Sequence, residues 1–163
     1  MQRYMWKGLN KQQVGAFAEY FVKMELTMFG FQVYSTEVDD RGIDFVIRYD
    51  AGHFIEVQVK SLRDLGYVFM QKSKFKPNEN LYLALALLFE GEPPKLFLIP
   101  SIVWNSPSGP FVNHEYGNGL KSEPEWGLNV SRKNMDQLEA YRFDESVEKL
   151  WKSPMPGKEI GRT

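Results

Sequence analysis

From Leu81 to Phe89 the chain is apolar at nearly every position, and this stretch restricts the fold more than any other. An amphipathic helix would place polar residues along one face, whereas a strand covered on both sides has no polar face to show. The run is about half the length of a membrane span, so it reads as the central strand of a layered, soluble domain. The 163 residues suffice for one domain, expected over residues 1–152, with a core that needs neither disulfides nor a structural metal. No cysteine is present, which excludes disulfides and thiolate metal sites and fits a reducing cytoplasm. The N-terminus lacks the basic start, apolar segment and small-residue cleavage site of a secretory signal.

The clearest helix covers residues 12–30: Val14, Phe17, Ala18, Phe21, Val22 and Phe29 recur at three- and four-residue spacing, and Gly30 supplies the stop. A short strand at 31–36 follows. The polar turn Asp39-Asp40-Arg41-Gly42 then leads into a second strand at 43–48, which ends at the hairpin composition Tyr49-Asp50-Ala51-Gly52. Residues 53–60 alternate strictly, with Ile55, Val57 and Val59 on one face and Glu56, Gln58 and Lys60 on the other. Further strands are expected at 67–71 and 95–99. Residues 100–126, rich in Pro, Gly, Asn and Ser, read as a long surface loop with one helical turn at 101–104. Ser131 and Asp144 read as N-caps of two closing helices, and residues 153–163 as a flexible tail.

This order of elements puts Asp44 near the start of one strand and Gln58 and Lys60 on its neighbour. Antiparallel pairing brings the three polar side chains to one end of the sheet. Phosphodiester hydrolysis needs such a grouping: oxygen ligands hold Mg²⁺ or Mn²⁺, the metal activates water and neutralises the phosphate, and a lysine supports the developing charge. Asp44 is the natural first ligand, Gln58 offers a neutral carbonyl oxygen, and Lys60 shares the face of Gln58 two residues on.

Gly42-Ile43-Asp44, then Glu56-Val57-Gln58-Val59-Lys60-Ser61, with Gly15-Ala16-Phe17-Ala18-Glu19 on the first helix, resembles the PD-(D/E)XK nuclease superfamily. The nearest likeness is to bacterial endonuclease-like domains of unassigned function that carry a Gln-x-Lys form of the motif; Holliday junction resolvases and restriction endonucleases are more distant. The resemblance implies a restriction-endonuclease-like, three-layer α/β/α core around a mixed sheet of about five strands. It matches Asp44 to the metal-ligating aspartate, Gln58 to the variable acidic or amide ligand, Lys60 to the catalytic lysine and Glu19 to the helix carboxylate that completes the site. The proline that names the motif is missing, and Gln58 removes one negative charge, a deficit that Glu56 on the same strand face is placed to offset.

A net charge of −1 gives no general attraction for phosphate, so any DNA contact must come from local clustering. Lys72, Lys74 and Lys76, interleaved with Phe75 and supplemented by Arg63, are the candidates for tracking a phosphate backbone and stacking a base; a solvated basic loop is the plain alternative. His53 and His114 are too isolated for zinc, and Ser101, Ser106 and Ser108 lack a nucleophile-elbow context. Trp104 and Trp126 read as packing for the long loop, or as a surface through which two copies pair. The expectation is therefore a metal-dependent endonuclease acting on DNA. A non-catalytic nucleic-acid-binding or protein-interaction module on the same fold is the alternative.

Overall fold

The computed structural model describes residues 3–37, 41–117, 119 and 121–152. The expected tail at 153–163, and Asp39 and Asp40 of the polar turn, lie outside the described residues.

Helix α1 (Lys11–Met28) begins at a capping box in which Asn10 and Gln13 each accept the other's backbone N–H, and it ends before Gly30, whose φ of +90° suits a residue without a side chain. Its Val14, Ala18, Val22 and Leu26 recur at i, i+4 spacing and are buried. Strands β1 (Gln32–Ser35), β2 (Phe45–Arg48) and β3 (Ile55–Arg63) then run antiparallel as a meander. Strand β4 (Gly66–Gln71) leaves this sheet, and the chain returns as β5 (Leu81–Leu88), parallel to β3, with β6 (Lys95–Pro100) antiparallel beyond it. The five-stranded mixed sheet has the order β1-β2-β3-β5-β6.

The apolar run is the strand β5, and its two faces differ in kind. Leu81, Leu83, Leu85 and Leu87 project to one side, while the smaller Ala84 and Ala86 face the other and let α1 approach closely. On that helix face, Val22 and Leu26 of α1 pack with Phe143 and Val147 of α3 (Phe143–Lys152) against Phe45, Ile47, Val57 and Leu98. The mixed sheet with flanking helices is the α/β class expected from the sequence.

The opposite face is covered chiefly by a second sheet. Strands β7 (Phe111–His114) and β8 (Glu125–Val130) lie within and just beyond the segment expected to be a loop, and they pair antiparallel with β4 in the order β4-β8-β7. Val68, Met70, Leu128 and Val130 of this sheet meet the leucines of β5, joined by Trp104 and by Leu138 of the short helix α2 (Met135–Glu139). Ser131 does cap, but it caps a 3₁₀ turn, Arg132–Asn134, that precedes α2. Trp104 is fully buried and donates from Nε1 to Gly127 O at 2.9 Å, so this ring packs the second sheet and is not displayed to another copy. Among the described residues no helix is long and apolar enough to cross a membrane.

Candidate active site

The site forms where the sheet stops pairing on one side. Strand β3 pairs with β5 from Glu56 to Arg63, but with β2 only from Ile55 to Val57. Beyond that point, among the described residues, β3 has no strand partner on the β2 side, and Asp44 takes the place of one. Its N–H donates to Val57 O at 3.0 Å, and its carboxylate Oδ2 accepts from Val59 N–H. These two bonds bracket Gln58 in the β3 sequence, so Asp44 and Gln58 are neighbours by backbone construction. Ile43 packs into the second-sheet core and Phe45 into the helix-side core, which fixes the chain on either side of Asp44.

The alternation of β3 holds as expected: Val57 and Val59 pack toward the helices, whereas Leu62, in phase with Gln58 and Lys60, packs toward the second sheet. Gln58 Oε1 is buried and has no hydrogen-bond partner. A buried acceptor left unpaired costs on the order of 1–3 kcal/mol, so its persistence calls for a function. Gly42, with φ +73°, makes room beside it, since a Cβ there would stand 3.4 Å from Gln58 Nε2 and 3.4 Å from Lys74 Cβ. What calls for glycine at position 42 is its φ of +73°, and its signal in the sequence is a glycine two residues before the candidate aspartate.

The carboxylates are placed differently from each other. Glu19 lies on α1, where Lys23 Nζ holds its Oε1 at 2.6 Å and itself lies 5.4 Å from the centre of the Phe45 ring. Lys23 was not legible as a site residue, although its i, i+4 spacing from Glu19 announces the pair. Glu56 is exposed and opens onto a cavity lined also by Arg41, Lys74 and Lys76. Among the described residues no three His, Asp or Glu side chains are grouped to hold a metal, so Asp44, Glu19 and Glu56 do not share one centre. The donor pair brought together is Asp44 with Gln58. The orphaned amide oxygen of Gln58 and the carboxylate of Asp44 are the two kinds of oxygen donor that a hard divalent cation takes.

The basic stretch divides. Phe75 cannot stack a base: it is 1% exposed and meets the Trp104 ring edge-on at 5.5 Å. Lys72 is committed to the second sheet, bonded to Asn113 and Glu115 and lying 4.0 Å from the centre of the Trp126 ring. Arg63, at the far end of β3, donates from Nη1 to Leu9 O at 2.9 Å and Trp6 O at 3.3 Å, tethering the N-terminal segment. Lys74 and Lys76 remain exposed beside the site, on the cavity that Arg41 also lines.

A separate polar cluster lies on the outer side of the second sheet, where buried Glu125 Oε1 accepts from Tyr67 Oη at 2.8 Å and from Tyr116 Oη at 3.0 Å. Burial, then the hydrogen bond to the Glu125 carboxylate, pushes the Tyr67 hydroxyl's pKa far above its ordinary 10.0. Gly127 accommodates the Tyr67 ring, because a Cβ there would overlap it at 2.5 Å or less.

A scan of protein-family models finds no match, and a search of curated protein sequences finds none either. Among solved structures, the bacterial homing endonuclease I-Ssp6803I superposes with a TM-score of 0.52 at 19% identity, covering 86% of this chain and 93% of that one. The two proteins share a fold.

Proposed function

We propose that the protein is a metal-dependent endonuclease that hydrolyses DNA phosphodiester bonds, of the PD-(D/E)XK type, with Asp44, Gln58 and Lys60 at its centre. The observation that carries this reading is the buried, unpartnered Gln58 Oε1, on the residue between the two that Asp44 hydrogen-bonds and in phase with Lys60 along the strand. The shared fold with a homing endonuclease supports it. Mg²⁺ or Mn²⁺, when bound, supplies charge neutralisation at phosphate and lowers the pKa of water. Asp44 and Gln58 would hold the cation, while Glu19, paired with Lys23, stands outside this pair. Lys60 orients the attacking water and stabilises charge on the phosphate oxygens. The amide at position 58 leaves the centre one charge less negative than a glutamate, so affinity for the metal is modest. The cysteine-free composition fits work in a reducing cytoplasm.

One observation favours a second reading, a non-catalytic nucleic-acid-binding module: the described carboxylates do not converge on one centre. Calorimetric titration with Mn²⁺ separates the two. Wild type binds and Asp44→Asn does not if the site is a metal centre; equal heats from both proteins refute it.

A further inference from the structure

Next to Gln58, on the second-sheet side of β3, is a cavity of about 340 Å³ whose lining includes Arg41, Ile43, Glu56, Ser73, Lys74 and Lys76. It lies beside the candidate centre. Ile43 immediately precedes Asp44, Glu56 precedes Gln58 by two residues on the same strand face, and Gly42 lies against both Lys74 and Gln58. Among the described residues, the exposed Lys74 and Lys76 line it together with Glu56, in a chain whose overall charge is −1. This is the local clustering that phosphate binding demands when net charge supplies none.

The loop that carries the lysines is held in place. Between them, Phe75 inserts into the core, its carbonyl accepts from Trp126 Nε1 at 3.1 Å, and the N–H groups of Lys74 and Phe75 both donate to Gln71 O, at 3.0 and 2.9 Å. Cations fixed on an anchored backbone lose less freedom on binding than cations on a mobile loop.

We propose that this cavity is an anion subsite for a backbone phosphate of the nucleic-acid strand, next to the phosphodiester held at Asp44 and Gln58. Glu56 acts in it as an electrostatic check on anion entry and not as a metal ligand. The assignment rests on the nuclease reading for its substrate but is testable without cleavage. A carboxylate beside Lys74 and Lys76 opposes an entering phosphate, so removing its charge strengthens anion binding; removing a metal ligand would weaken cation binding. The two roles for Glu56 therefore predict opposite phenotypes.

The test is fluorescence anisotropy of a labelled DNA duplex in EDTA across a potassium chloride series, with urea midpoints confirming that each variant folds. Lys74→Ala/Lys76→Ala is expected to weaken binding by about tenfold and to flatten the slope of log affinity against log salt by about one to two. Glu56→Gln is expected to tighten binding several-fold at low salt while its Mn²⁺ titration matches wild type. Unchanged affinity and slope in the double-lysine variant overturn the subsite, as does a Glu56→Gln protein that loses Mn²⁺ binding without gaining affinity for DNA. If the lysines matter but wild type cuts nothing with any metal, the nuclease reading fails and the subsite stands. Cleavage that is indifferent to the lysines gives the reverse.

Discussion

Replacing Gln58 with methionine should make the metal-free protein more stable while destroying its metal site. Gln58 Oε1 is buried without a donor, a state that costs on the order of 1–3 kcal/mol relative to a satisfied or apolar group. Methionine has nearly the same length, carries no strong acceptor and adapts its rotamers, so Gln58→Met removes the penalty without opening a cavity. The net stabilisation expected is about 1 kcal/mol, the low end of that penalty. For a domain of this size that corresponds to a rise in melting temperature of roughly 2–4 °C in EDTA. Saturating Mn²⁺ should raise the wild-type melting temperature through linkage and leave Gln58→Met where it was. Differential scanning fluorimetry in EDTA and in Mn²⁺ reads all four values. A variant less stable than wild type in EDTA, together with a wild type indifferent to Mn²⁺, would show that Gln58 is a structural residue and that the metal-site reasoning is wrong.

Phe75→Ala should cost about 3–5 kcal/mol in urea denaturation, since it empties a fully buried site against Trp104; Phe75→Leu should stay folded and keep its affinity for DNA, and a base-stacking residue would show the opposite pattern. Gly42→Ala forces a side chain into a φ of +73°, so a loss of roughly 1–2 kcal/mol in urea denaturation is expected. Because the Tyr67 pKa is raised in the folded state, the folded protein keeps a proton that the unfolded chain releases near its ordinary 10.0. Its contribution to stability is complete below that pH and declines as pH rises above it; Tyr67→Phe should flatten the alkaline limb of a denaturation series.

How much of this was legible in the sequence depended on whether the local pattern and the tertiary environment agreed. Helix α1, the alternating β3 and the apolar β5 each carry a periodicity that burial enforces, and all three form as the pattern requires. The Asp44 and Gln58 juxtaposition was legible because it follows from pairing β2 with β3. The second sheet was not. Strand β7 is four residues long and is separated from β8 by residues of turn composition, so nothing local marks the pairing with β4. The basic stretch misled for a related reason: lysines on either side give Phe75 a solvated look, yet the turn after β4 aims its ring at Trp104. Glu19 illustrates the limit of residue-by-residue matching, because a carboxylate at the right place on a helix is here engaged by Lys23.

The central claim is best tested by incubating supercoiled plasmid, linear duplex and branched DNA with the protein in Mg²⁺, Mn²⁺ or EDTA, alongside Asp44→Asn and Lys60→Ala. The account predicts cleavage that requires metal and falls by at least about a hundredfold in both variants, as expected when a metal ligand or a charge-stabilising lysine is removed. Cleavage that survives in EDTA or in Asp44→Asn, or no cleavage of any substrate by a wild-type protein that is folded and metal-bound, would contradict it.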